Sequence, residues 1–469
     1  MSTLKTKLFS VFLLSSLMVF GQSDLTLYNF NAIPQSLHVN PGMPQQTKVW
    51  VGLPAISGIH VHFQNTGFTL AELIPKGSKI NVQLRQIADE MDDDSHLALN
   101  QEIDLLGIGF KAGRGFVSLG ATQSISLRIG YPSDVLRFIS YDQGDPVTGL
   151  SLNEFDYESM VRTNFYLGYQ HKFMKNRLTL GFRAKYMYGQ QHSEVESMNA
   201  QIDASDPFLM KVRTNISVRS SGLSNLLDPD LDPSDDPVGL ALTENTGLGF
   251  DFGGNFLINR KLSVNFSVLD LGSIDWKDGN EKYVSNGEFD FEGIELDLAD
   301  QNFDDVIEAL TDSLANVLGF DTIENSDPYP TKLSTRIFAG LNYNFHPKHG
   351  LGLLYHAKMG LDGKFRSDYS VNYQGRWFRG MQFIASYSMI NGDINNVGAG
   401  VDFKFGPLQL YIISDNILGA VYYENLKTTN IRLGLNITFY GKKEKDPKDM
   451  PFFDSPSSSS SDDDDDDDD

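Results

Sequence analysis

A few groups of side chains in this sequence are of the types that chemistry uses. His60 and His62 stand two residues apart between Gly58 and Phe63, so on a strand both fall on one face. A metal would need a third donor, and none is in view; two histidines on a wetted strand face is the plainer reading. The run Asp89, Glu90, Asp92, Asp93, Asp94 could attract calcium. It lacks the spaced ligands and the glycine of an EF-hand loop and reads as a solvated charge run. Asp393 near Asn395 and Asn396 is loop chemistry. There is no Gly-x-Ser-x-Gly, no His-Glu-x-x-His and no P-loop, so no catalytic, metal or cofactor residue is assigned and no enzyme is expected.

The remaining candidates are charges set singly into alternating stretches. From Thr428 to Tyr440, Ile431, Leu433, Leu435, Ile437 and Phe439 share one face and Asn430, Arg432, Gly434, Asn436 and Thr438 the other. Arg183 and Lys185 alternate with Phe182, Ala184 and Tyr186; Arg336 precedes Ile337, Ala339 and Leu341; Asp402 and Lys404 alternate with Val401, Phe403 and Phe405. In a soluble sandwich the polar face meets water. In a membrane barrel the apolar face meets lipid and these six residues (Arg183, Lys185, Arg336, Asp402, Lys404, Arg432) line a lumen. There they would tune a pore or pin a plug by ion pairs.

Two arguments favour the barrel. The alternation runs for nine to eleven residues at several places, long enough to cross a bilayer on tilted strands, whereas soluble-sheet strands are nearer five or six. The links between strands also sort by length. Short ones fall at 174–177, 205–208, 259–261, 346–350, 376–380 and 406–407; mostly longer, acidic ones alternate with them at 132–161, 221–242, 273–333 and 415–427. Short turns on one rim and long loops on the other mark an outer-membrane barrel, with both chain ends on the short-turn, periplasmic side. The fold class expected is therefore all-β: a transmembrane antiparallel β-barrel of about 14 strands, counted from Thr122 to Tyr440. The segments 49–63 and 105–112 either raise that count to 16 or lie in the lumen as a plug. Tyr131, Trp276, Tyr343, Tyr373, Trp377, Tyr387 and Tyr440 stand at strand ends, where interfacial girdles belong.

The ends of the chain read differently. Lys5 and Lys7 precede an apolar run from Leu8 to Phe20, a secretory signal with cleavage expected after Gly21. Residues 22–102 read as an extended, plug-like segment with an acidic helical stretch, 103–440 as the barrel, and 441–469 as an acidic periplasmic tail that cannot bury a core. Asp462–Asp469 would gather divalent cations weakly or engage a basic partner. Cysteine is absent, which excludes disulfides and lipoprotein attachment. A formal charge of −23 argues against nucleic acid. In the longest loop, residues 304–318 carry an apolar helical stripe that would act as a lid, a docking surface or simply packing for its own loop.

Several short motifs add a resemblance: Ile33-Pro34-Gln35-Ser36 with Asn40-Pro41, Gly52-Leu53-Pro54, Asp104-Leu105-Leu106-Gly107, Tyr131-Pro132-Ser133-Asp134, Leu269-Asp270-Leu271-Gly272 and Asp415-Asn416-Ile417-Leu418-Gly419. Together they resemble an outer-membrane barrel family of Bacteroidota known only as domain of unknown function 5723. Gly42 stands where that family commonly has alanine after Asn-Pro. More distantly the chain is similar to the type IX secretion barrel PorV and the FadL group of long-chain fatty-acid channels. The resemblance implies a FadL-like barrel in the outer membrane without assigned chemistry. The long acidic loops and the helical stretch 304–318 point, with the likeness to PorV, to an accessory, scaffold or partner-binding subunit of an outer-membrane complex, in contact with lipid and with another outer-membrane or secreted protein. The alternative is a FadL-like channel for small hydrophobic molecules, with a wall kink easiest at Gly247, Gly249, Gly253 and Gly254.

Overall fold

The computed structural model describes residues 24–73, 80–92, 95–140, 147–206, 209–223, 242–291, 320–324, 326–359, 365–378, 380–420 and 427–440. The expected signal, the stripe at 304–318 and the acidic tail lie outside these residues.

The chain enters through a short helix, α1 (Leu25–Asn29), and a 3₁₀ turn at Pro34–His38, where proline opens the turn. Strands follow as β1 (Val49–Gly52) and β2 (Ile59–Asn65), then helices α2 (Leu70–Leu73) and α3 (Ile80–Glu90). Next come β3 (His96–Ala112), β4 (Gly115–Gly130), helix α4 (Ser133–Ile139), β5 (Val147–Ser151), β6 (Asp156–Phe173) and β7 (Leu178–Ser197). The middle of the chain supplies β8 (Ala200–Asp206), β9 (Leu209–Ser221), β10 (Thr246–Leu257), β11 (Leu262–Trp276), β12 (Asn280–Phe291), β13 (Asp321–Glu324) and β14 (Tyr329–Lys332). The last third is a meander of β15 (Arg336–His346), β16 (His349–Met359), β17 (Phe365–Phe378), β18 (Met381–Ile390), β19 (Asp393–Phe405), β20 (Leu408–Ser414) and β21 (Thr428–Phe439).

Every described strand pairing is antiparallel, and the wall closes on itself as a barrel of 14 strands. β1 and β2 form one interrupted wall strand, hydrogen-bonded to β3 on one side and to β21 on the other. Closure leaves no open edge in the hydrocarbon, which a spanning sheet requires. Outward residues are apolar and exposed, as at Leu167, Leu248, Phe266, Leu353, Val371 and Leu410. Inward residues are polar and buried, as in β21, where Asn430, Arg432, Asn436 and Thr438 face the interior.

The number of strands agrees with the sequence reading, but the membership does not. The hairpin at 205–208 joins β8 to β9, which with β5, β12 and β13 form an extension beyond the wall on the long-loop side. The two missing wall strands come from the segment assigned to a plug. Residues 49–65 and 96–102 are wall, because Trp50, Gly52, His60 and His62 continue an inward face in register with β3. Among the described residues, 24–46 fill the lumen, nearly all of them buried. Burial at His60 and His62 also overturns the wetted-face reading. Trp276 and Tyr131 are no girdle residues: the first is sealed between His192 and Tyr329, and the second packs on Phe68. Tyr343, Trp377 and Tyr387 do face outward.

The seam makes a direct test because the chain has no cysteine to interfere. Val51 stands opposite Ile437. The double variant V51C/I437C should form a disulfide on mild oxidation. The folded, fast-migrating gel species should then survive to a higher temperature than under reductant. A pair that cannot be oxidised would mean the wall is not closed there.

Candidate functional site

Residues 24–46 and the surrounding wall build the site together. Leu25, Leu27, Tyr28, Phe30 and Ile33 form an apolar cluster with Leu269, Phe338, Leu354, Ile384, Tyr411 and Ile413 of the wall. Tyr28 stacks on Phe338 at 4.7 Å, and Phe338 on His356 at 4.4 Å. Such contacts are why a barrel strand carries an apolar residue on its inner face.

Around that cluster runs a chain of buried charges. Arg432 reaches Glu102 at 3.5 Å and Asp24 at 3.1 Å. Asp24 also meets Arg336 at 3.2 Å, and Arg336 continues to Asp270 at 2.9 Å. Lys185 joins Asp270 at 2.6 Å to Asp251 at 2.8 Å, and Asp251 holds Arg183 at 2.7 Å. Arg183 then donates to the backbone carbonyl of His38 at 2.9 Å and to its ring Nδ1 at 3.2 Å. Since arginine can only donate, Nε2 of His38 carries the ring proton, and it faces Asp104 at 3.2 Å. The plug is thus gripped at Asp24 and at His38, and each grip is doubled.

Local irregularities aim these carboxylates. The β10–β11 register shifts at Asp251, and Asp270 adopts a left-handed backbone with φ 62°, which aspartate tolerates better than most residues. The Asp270 backbone N–H donates to Asp251 at 2.8 Å, closing the bulge. Glycines serve the plug as well. A Cβ on Gly181 or Gly253 would strike Pro41 or Asn40, and one on Gly42 would strike Gly253. Of the glycines read as kink points, Gly253 therefore makes room for the Asn40-Pro41-Gly42 turn, whereas a Cβ on Gly247, Gly249 or Gly254 would meet wall residues.

All six charges singled out from the sequence lie on the inner face. Arg183, Lys185, Arg336 and Arg432 belong to the chain of charges. Asp402 and Lys404, 3.5 Å apart, stand separately. Gln409 links them to the plug by donating to Asp402 at 2.7 Å and to the carbonyl of Ala32 at 2.9 Å. Sequence reasoning missed the acidic partners Asp24, Glu102, Asp104, Asp251 and Asp270. Two of them, Asp104 and Asp270, stand inside motifs that carried the family resemblance.

Above the plug, toward the long-loop rim, lies a vestibule of about 170 Å³. Arg128, Arg162, Lys332, Arg336, Lys358 and Arg366 line it against Glu102, Glu158, Asp270 and Asp368, with His62, His96 and His356 among them. At the opposite rim a second cavity of about 260 Å³ is lined by Lys111, Arg114 and Lys172 with Gln45 and Thr47. Residues 24–46 separate the two. Beside the plug the first wall strand is broken: Leu53–Gly58, six residues, stand against two of β21 and three of β3. Gln35 of the plug donates to the carbonyl of Ser57 at 2.9 Å and to Asn436 at 3.1 Å behind this break.

With this geometry in hand the chain can be compared with known proteins. Residues 41–415 match a family described as a family of unknown function, DUF5723. The chain belongs to that family. No curated protein matches it. Among solved structures it is similar to the toluene transporter TbuX of Ralstonia pickettii, with 7% identity, 87% of this chain and 95% of that one covered, and a TM-score of 0.43. It is also similar to the monoaromatic hydrocarbon channel CymD, with 9% identity, coverage of 90% and 98% and a TM-score of 0.44. For a FadL homologue of Pseudomonas aeruginosa the values are 10%, 89% and 94%, and 0.42. Likeness at this level speaks to neither cargo nor mechanism.

Asp24 offers the sharpest test of the site. Burial draws its carboxyl upward, but Arg432, His60 and Arg336 more than reverse this and hold it well below the usual carboxylate range. A depressed value means that its contribution to stability is present above the unfolded pKa of about 4 and fades as pH falls through the folded one. D24N leaves Arg432 and Arg336 short of charge and should cost about 3–5 kcal/mol at pH 7. Thermal shift of the detergent-solubilised protein should show that gap at neutral pH and a shrinking gap below pH 4. A gap that does not depend on pH would remove Asp24 from the grip.

Proposed function

We propose that the protein is a plug-gated outer-membrane channel for small molecules, FadL-like in plan, with the long loops outside the cell and the short turns and acidic tail in the periplasm. The observation that carries this reading is the pair of cavities at opposite ends of one lumen, divided by a segment that joins the wall covalently only where it runs into β1 and is otherwise held by side-chain contacts. Displacing residues 24–46 would join them. The break at Leu53–Gly58 supplies a second way out, sideways, where Pro54, Ala55 and Ile56 are exposed on the wall.

Two features bear on cargo. A sideways exit at Leu53–Gly58 suits an apolar body that lipid can accept. The vestibule is charged, with only Ala98, Leu127, Met160, Leu333 and Ile390 apolar. The cargo that satisfies both is a small molecule with one polar end and an apolar body. The partner-binding reading draws on the extension beyond the wall. Its described face is a ladder of ion pairs, Arg213–Glu288, Lys282–Glu196 and Arg219–Glu196, and not the apolar core of a docking surface.

Planar-bilayer recordings test the gate. Wild type should conduct poorly, and the double variant D24N/H38Q, loosened at both grips, should open severalfold more often while keeping heat-modifiable migration. Uptake of a labelled amphiphile tests the exit. Replacing Leu53–Gly58 by a short continuous strand should lower uptake without raising conductance. Equal conductance and equal uptake in all three proteins would sink the channel reading.

A further inference from the structure

Glu158 and Glu194 stand directly opposite each other on β6 and β7, near the long-loop rim. Two carboxylates in that relation repel, and a sheet normally avoids it. Arg219 pairs with Oε1 of Glu194, which accounts for half of the problem. Glu158 has weaker relief: Arg128 stands opposite it on β4 but pairs with Asp156, and among the described residues no donor reaches the Glu158 carboxylate, 14% exposed, within hydrogen-bond distance. Between the two lies His192, completely buried. Its ring is stacked on Trp276 at 5.1 Å and packed on Tyr329, whose hydroxyl meets Nδ1 at 3.0 Å, so it cannot turn. Nε2 therefore points at both acids, 3.8 Å from Oε2 of Glu194 and 4.0 Å from Oε1 of Glu158; the nearest hydroxyl, that of Thr331, is at the limit of bonding at 3.5 Å.

We propose that Glu158, His192 and Glu194 form a binding site for a divalent first-row transition ion of the zinc type. The three donor atoms lie within 4.8 Å of one another. An ion about 2.0–2.2 Å from each ligand needs donor separations of roughly 3.4 Å at the tetrahedral angle, so the two separations from Nε2, 3.8 and 4.0 Å, close by about half an ångström and the two carboxylates draw together around the ion. A ring nitrogen held by a partner is the usual outer arrangement of a metal-bound histidine, and Tyr329 supplies it here. Imidazole with two carboxylates favours such ions over calcium, which prefers six or more oxygens. Glu158 also lines the vestibule, so the open coordination position faces the lumen and can take an oxygen of a bound molecule. The other comparable cluster, His38, Glu102 and Asp104, carries no such proposal. Arg183 occupies Nδ1 of His38, and Nε2 holds a proton toward Asp104.

The test is a Zn²⁺ titration of the full-length protein in detergent, with a chromophoric chelator as competitor. The Asp462–Asp469 run will bind weakly in every variant and cancels in the comparison. Wild type should hold one Zn²⁺ against the chelator. E158Q, nearly isosteric, and H192A should each lose it, and Y329F should weaken it at least tenfold. X-ray absorption should show one nitrogen neighbour that H192A removes. Tight Zn²⁺ retained by E158Q and H192A, Zn²⁺ held only as weakly as the tail holds it, or equal competition by Ca²⁺ would each overturn the proposal.

Discussion

One carboxylate holds two arginines that start from nearly opposite sides of the wall. Arg432 lies on β21 and Arg336 on β15, six places apart in a ring of 14, and Asp24 stands between them. A ring of that width encloses more space than its inward side chains can fill. Hydrocarbon outside offers no partner to a polar group, so the interior must be packed and paired by the chain itself. The plug answers the first need with Leu25, Tyr28 and Phe30 and the second with Asp24, Gln35 and His38. Buried ion pairs add little net stability over apolar packing, because the charges must first leave water. What they add here is position, since each charge has partners at only one place in the lumen.

That division has a consequence for opening. The apolar cluster is indifferent to small shifts, whereas the grips at Asp24 and His38 break over an ångström or two. The Asp24 grip borders the vestibule through Arg336, Glu102 and Asp270, the place where cargo would arrive in the proposed channel. An arriving polar group can exchange for Asp24 as a partner of Arg336 without leaving the arginine bare. At the other end, the Asn40-Pro41-Gly42 turn sits against backbone at Gly181 and Gly253. Close backbone packing tolerates displacement poorly, so that end acts as the fixed one.

How much of this was legible in the sequence depended on what each residue needed to be recognised. Period-two alternation placed β7, β15, β19 and β21 and set Arg183, Lys185, Arg336, Asp402, Lys404 and Arg432 on one face. Side-chain alternation is local, so it survives without knowledge of neighbours. The wall at 49–65 was obscure because Leu53–Gly58 breaks the period in mid-strand. The hairpin of β8 and β9 has the same alternation as a wall strand, and only its pairing with β12 places it outside. The acidic partners were invisible for a different reason. Asp251 and Asp270 meet through a bulge, and Asp24 reaches β21 across 408 residues of sequence. No spacing rule spans that. The motifs that carried the resemblance nonetheless mark the joint: Gln35, Asn40, Asp104, Asp270 and Asp415 all contact across the plug–wall boundary or hold a bulge beside it.

The net charge of −23 conceals a segregation that only the topology exposes. The short turns carry Lys48, Lys111, Arg114, Lys175, Arg177, Arg260, Lys261 and Lys348, all exposed, and no acid occurs between 105 and 115, 165 and 178, 252 and 262, or 341 and 353. The negative charge sits on the long-loop side and in the tail. A cationic rim at headgroup depth is attracted to anionic lipid phosphate and helps to fix the barrel in the membrane. The same cations reach inward, since Lys111, Arg114 and Lys172 line the lower cavity, while six basic residues outnumber four acidic ones around the vestibule. Between the two, the charges of the plug and its wall partners nearly cancel. A cargo with an anionic end would therefore find favourable potential above and below the plug, and no electrostatic reason to remain beside it. On the proposed channel reading, the barrier to passage is then the packing of residues 24–46.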